Sequence, residues 1–142
     1  MKVVFYLNLD NIYLEEIKKF LIGKLEPYII YIFGSSANGI FKKGSDVDIA
    51  FYSDKEFSEY EIFMIAQELA DILKRDVDLI NLKKASTVFK AQIIGNGEAV
   101  YCNDDTRRMY FEMRAFKEYA LLNEERELIL KNIKERGSVY GK

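Results

Sequence analysis

Tyr28-Ile29-Ile30-Tyr31-Ile32-Phe33-Gly34-Ser35-Ser36-Ala37-Asn38-Gly39 is the stretch that decides the fold. Its first six residues are β-branched or aromatic without a break, the pattern of a strand covered on both faces. The run stops at Gly34, and the segment from there to Gly39 is too short and too polar to be core. After a second break at Gly44, Asp46-Val47-Asp48-Ile49-Ala50-Phe51-Tyr52 alternates. Val47, Ile49 and Phe51 fall on one face of a strand, and Asp46, Asp48 and Ala50 on the other.

Outward from this pair, Asp76 to Leu82 reads as a third strand and Glu98 to Cys102 as a short fourth. Val3 to Leu7 is also rich in β-formers and reads as a short strand. Asp10 or Asn11 then caps a helix carrying Ile12, Leu14, Ile17, Phe20, Leu21 and Leu25. Pro27 closes it, and is expected to push Glu26 into an extended conformation. Ser58 followed by Glu61 is a capping box. It opens a helix expected to turn Ile62, Phe63, Ile65, Ala66, Leu69, Ile72 and Leu73 inward. Ala85 to Ile94 reads as a helix stopped by Gly95-Asn96-Gly97, and a long helical region follows Asp104 or Asp105 as far as Gly137. The main order is helix, strand, strand, helix, strand, helix, strand, helix. That predicts an α+β fold with a mixed sheet. It is expected to form one domain over residues 1–142, with its core at about 28–102 and a helical region at about 104–137.

Composition narrows the chemistry. The 142 residues include no histidine and one cysteine. A Ser-His-Asp triad, a Cys-His dyad, a histidine metal site and an internal disulfide are therefore excluded. Lys and Arg number 21 against 23 Asp and Glu, a formal charge of −2. That balance argues against direct nucleic-acid binding, which usually shows as a basic stripe. No apolar run reaches the length of a membrane span or a signal peptide, so the expected location is cytoplasmic, away from any membrane.

Carboxylates, hydroxyls, Lys, Arg and backbone groups remain. Asp46 and Asp48 project from the same strand face, roughly 7 Å apart at Cα. Like charges there are unfavourable, and aspartate is a poor strand former, so a divalent cation would compensate. These two residues alone leave open that Asp46 ends a turn and Asp48 faces solvent. Asp78, on the strand expected alongside, adds a third carboxylate, an oxygen-rich set suited to Mg²⁺. Asp76 shares its parity and is the rival third ligand, but at the strand's entry beside Arg75 it reads as a solvated or paired charge. Gly34 and Ser35 follow the first strand, where an open backbone and a hydroxyl suit a phosphate; an ordinary turn is the alternative.

Gly34-Ser35, ten residues, then Asp46-Val47-Asp48 resembles the GSx10DxD signature of DNA polymerase β-like nucleotidyltransferases. The small size and the later Asp78 resemble the minimal nucleotidyltransferase (MNT) antitoxins that act beside HEPN-domain toxins. The resemblance covers about residues 28–102. It implies a mixed sheet flanked by helices, with Gly34 and Ser35 binding the nucleotide. Asp46, Asp48 and Asp78 would be the catalytic residues, holding two Mg²⁺ ions. The implied reaction is AMP transfer from ATP to a tyrosine of a HEPN toxin ribonuclease, which neutralises it. An antitoxin that works by contact alone, and a transferase with a small-molecule acceptor, are the alternatives. Lys42, Lys43, Lys83, Lys84, Arg107 and Arg108 are candidate phosphate or partner contacts, each also readable as surface charge. Tyr110, Phe111, Phe116 and Tyr119 are either a partner patch or the packing face of the last helix.

Overall fold

The structure is a computed structural model that describes residues 2–34 and 46–140, with side chains described over 12–34 and 46–136. Its elements are α1 (Lys2–Leu25), β1 (Pro27–Phe33), β2 (Val47–Ser53), α2 (Glu59–Leu73), β3 (Val77–Asn81), α3 (Thr87–Asn96), β4 (Glu98–Cys102) and α4 (Asp105–Tyr140). A short 3-10 turn, Leu82–Lys84, joins β3 to α3.

The strands form one mixed sheet in the order β3-β2-β1-β4. β1 runs antiparallel to both neighbours, and β2 and β3 are parallel. The central position of β1 explains its unbroken apolar character, since both faces are covered and Tyr28 to Ile32 are all buried.

On one face, Ile17, Leu21 and Leu25 of α1, spaced four apart, pack with Leu69 and Leu73 of α2. They meet Ile30 and Ile32 of β1, Val47, Ile49 and Phe51 of β2, and Leu79 of β3. On the other, Ile93 and Ile94 of α3 and Ala115 of α4 cover Tyr28, Tyr31 and Ala50. Each fully buried aliphatic side chain contributes about 1.5–3 kcal/mol. The alternation read in β2 is thus the division between two cores, and Asp48 lies on the α3/α4 side with Ala50.

Ser58 and Glu61 form the expected capping box: Ser58 N–H donates to Glu61 Oε1 at 2.8 Å, and Glu61 N–H donates to Ser58 Oγ at 3.1 Å. Ser53, buried at the end of β2, fastens the end of α1. Its hydroxyl lies 2.7 Å from Leu25 O and 3.2 Å from Glu26 O, and accepts from Lys55 N–H at 3.1 Å.

Several expectations are corrected. Val3–Leu7 is helical, the first turns of α1, so the helix does not start at Asp10 or Asn11. Local β-propensity there yields to helix continuing into the Ile17–Leu21–Leu25 stripe. Glu26 is left-handed, with φ 47°, and its N–H donates to Ile22 O at 3.2 Å. The helix end is closed by a left-handed cap, and Pro27 is simply the first strand residue. Phe63 and Ile72 are 57% and 45% exposed, because the buried face of α2 is narrower than the apolar set. α3 runs through Gly95 to Asn96, and α4 runs through Gly137 to Tyr140, since a lone glycine costs a helix only about 1 kcal/mol. α4 is about 54 Å long at the usual rise, and residues 124–136 are exposed along its distal part.

Candidate active site

The sheet register assembles the polar centre. Phe33, Asp48 and Asp78 are consecutive partners across β1, β2 and β3. Gly34 therefore follows directly on one side of Asp48, while Asp78 sits on the other. Val47 N–H donates to Asp76 O at 2.9 Å and locks the entry of β2 against β3. Asp46 is exposed just before β2, Asp48 is half-buried, and Asp78 is exposed. Asp76 is not opposite Asp48; with Asp46 it lines a separate surface hollow beside Lys74 and Arg75.

Gly34 is required in two ways. Its φ of +67° lies in the left-handed region. A Cβ built there would fall on Asp48 Oδ2, far inside contact distance. The absence of a side chain lets the turn after β1 close down on the carboxylate. Ser35, Lys42 and Lys43 lie outside the described residues.

Burial, then the carboxylates of Asp78 and Asp46, hold the Asp48 carboxyl above its ordinary range. The crowding the sequence predicted is therefore present, and it runs through Asp78 and Asp46. Among the described residues, no three carboxylates are drawn together closely enough to form a ligand set by themselves. Mutual repulsion keeps such groups apart until positive charge joins them. The donor chemistry, three carboxylates on one sheet edge region, fits a hard cation such as Mg²⁺.

The other candidate cations are occupied with holding the fold. Lys83 Nζ lies 2.6 Å from Glu56 Oε2 and donates to Asp54 O at 3.2 Å and Lys55 O at 3.3 Å. Lys84 Nζ donates to Phe57 O at 3.0 Å. Together they pin the β2–α2 loop. Arg107 makes a two-pronged pair with Asp54 and lies 3.9 Å from the Tyr28 ring centre. Arg108 pairs with Glu112 and Asp105 on its own helix. The sequence offered no sign of the partners of Lys83 and Arg107, because they lie 27 to 53 positions away. In the aromatic set on α4, Tyr110 is 69% and Phe116 43% exposed, whereas Phe111 packs against the sheet and Tyr119 is half-buried. Among the described residues, no helix is long and apolar enough to cross a membrane.

The chain and its fold have known counterparts. The chain is 31% identical to the protein adenylyltransferase MntA of Shewanella oneidensis over 105 residues, 74% of this chain and 75% of that protein. A chain of the solved complex of tri-AMPylated Shewanella oneidensis HEPN toxin with MNT antitoxin superposes with a TM-score of 0.74. It is 27% identical, with 88% of this chain and 98% of that one covered. A solved toxin–antitoxin with AMP-PNP gives a TM-score of 0.75 at 30% identity, covering 85% of this chain and 98% of that one. Residues 15–106 match the family model described as Polymerase beta, Nucleotidyltransferase. By that match and its kinship with MntA, the chain belongs to the polymerase β nucleotidyltransferase family.

Proposed function

We propose that this chain is an antitoxin that transfers AMP from ATP to a tyrosine hydroxyl of a cognate HEPN-domain toxin. The observation that carries this reading is the register that sets Asp48 between Gly34 and Asp78, in a chain 31% identical to a protein adenylyltransferase. We read the chain as one domain working in the cytoplasm, where ATP is plentiful.

Asp46, Asp48 and Asp78 would hold two Mg²⁺ ions. When bound, such ions neutralise phosphate charge and lower the pKa of an attacking hydroxyl. Gly34 lets the turn close on Asp48 and brings the backbone near the nucleotide, and Ser35 supplies a hydroxyl donor to a phosphate. Asp78 faces the incoming acceptor and takes its proton. The acceptor oxygen then bonds to the α-phosphorus as the bond to the β-phosphate oxygen breaks, and pyrophosphate leaves with that electron pair. Positioning and electrostatics carry such a transfer, so the lack of histidine is no obstacle.

A contact-only antitoxin is the second reading, favoured by Met109, Tyr110 and Met113, all more than half exposed on α4. One experiment separates the two. The chain is incubated with Mg²⁺-ATP and a cognate HEPN-domain protein, and the partner is weighed intact. A gain of one or more AMP units is expected, lost on replacing Asp46 and Asp48 with Asn in a protein that still folds. A stable complex with no gain in mass selects the contact-only reading, and full transfer by the folded double variant removes these carboxylates from the chemistry.

A further inference from the structure

β3 is an edge strand of the sheet. Its parallel register with β2 and the bond from Val47 N–H to Asp76 O turn the backbone groups of Asp76, Asp78 and Ile80 toward β2. Val77, Leu79 and Asn81 therefore present their N–H and C=O groups to the open side. No described residue hydrogen-bonds those outward groups of Val77 or Leu79.

The edge opens into a groove of about 600 Å³ between α2 and α3. Phe57, Phe63 and Phe89 furnish aromatic walls, and Asp78 lies in the same lining. Sheet edges are usually blunted by a proline, a lysine or a covering element. Here the outward residues Val77, Leu79 and Asn81 carry no charge, and Lys84 at the groove is tied to Phe57 O.

We infer that the acceptor protein docks here, laying the extended segment that bears its tyrosine against β3 as an added strand. This rests on the transferase reading above and names how its substrate is recognised. A row of backbone donors and acceptors that no described residue takes up matches an extended polypeptide and not a nucleotide. A strand on this edge passes Asp78, the carboxylate on the far side of Asp48 from Gly34. The phenyl-lined walls accept a phenol ring, and the aspartate beside them meets its hydroxyl.

The test is amide hydrogen exchange by NMR on the ¹⁵N-labelled chain. It is measured free, with Mg²⁺-AMP-PNP, and with a cognate HEPN-domain protein whose acceptor tyrosine is changed to Phe. The amides of Val77, Leu79 and Asn81 should slow at least tenfold with the partner alone. Those of Asp78 and Ile80, already bonded to β2, should change little. Slowing by Mg²⁺-AMP-PNP alone would make the groove a nucleotide site, and slowing that grows with the chain's own concentration would make it a self-association edge; either overturns the proposal. A second readout is Phe63→Glu on the exposed wall. It should raise the KM for the partner at least tenfold and leave AMP-PNP affinity unchanged. AMP transfer with unprotected edge amides would overturn the docking mode and leave the transferase reading intact. Protected amides without transfer would overturn the transferase reading and leave the edge as the contact.

Discussion

Gly34→Ala is the sharpest probe of the centre, because its cost divides into two parts. The first is backbone: φ is +67°, and a side chain in the left-handed region costs about 1–2 kcal/mol. The second is the collision of the new Cβ with Asp48 Oδ2, which forces the carboxylate off its rotamer at about 0.5–1.5 kcal/mol. The sum, about 1.5–3.5 kcal/mol, would show in urea denaturation as a lower midpoint with an unchanged slope. The two parts can be measured separately. In an Asp48→Ala background the carboxylate is gone, so the same Gly34→Ala change should cost only the backbone part. The double-mutant cycle should return a coupling of about 0.5–1.5 kcal/mol. Displacing a catalytic group by about an ångström costs on the order of a hundredfold in rate, so AMP transfer by the folded Gly34→Ala protein should fall by about that factor. A coupling near zero, or undiminished transfer, would refute the argument that Gly34 exists to make room for Asp48.

Ser53→Ala removes the hydroxyl that joins α1 to β2 and leaves the buried Leu25 carbonyl short of a donor; it should cost about 1–3 kcal/mol, read as a lower urea midpoint. Arg107 holds the Asp54 carboxyl below its ordinary value of 3.8, so the ion pair stabilises the protein above that pH and the contribution fades as pH falls through the depressed value. The melting temperature of the native chain should accordingly exceed that of Asp54→Asn at neutral pH, and the gap should close below about pH 3.8; a gap independent of pH would deny the pair its role. Lys83→Met and Lys84→Met loosen the β2–α2 loop without touching phosphate, so AMP-PNP affinity by calorimetry should stay within about twofold of the parent, a change of under half a kcal/mol. A tenfold loss would return these lysines to the nucleotide.

The parts of the molecule legible in the sequence share one property: their signal is local and periodic. The strand at Tyr28–Phe33, the two-faced alternation of Val47 to Phe51 and the Ser58–Glu61 box each depend on residues within a few positions of one another. The failures share the opposite property. Val3–Leu7 is β-rich in isolation, and only its continuity with the stripe Ile17, Leu21 and Leu25 makes it helix. Glu26 obeys the helix end in place of the proline that follows it. The partners of Lys83, Lys84 and Arg107 are set by the approach of the β2–α2 loop to segments far along the chain. No window of sequence contains them.

The candidate site lies between these cases. Parity on a strand was enough to pair Asp46 with Asp48, and to propose Asp78 beside them. Parity did not separate Asp78 from Asp76, since both share it; the place of Asp76 at the strand's entry beside Arg75 did. The parallel register sets Asp78 opposite Asp48, and the Asp76 carbonyl accepts the hydrogen bond of Val47 N–H. Register also explains why the crowding is tolerated. The apolar partners Val47, Ile49 and Leu79 fix the two strands from the other face, so a one-residue slip would expose the core to relieve the charges. Burial of those residues holds the register against the repulsion at Asp48. Relieving that repulsion should accordingly favour the fold and abolish the chemistry. Asp48→Asn is the substitution in which the two effects part company.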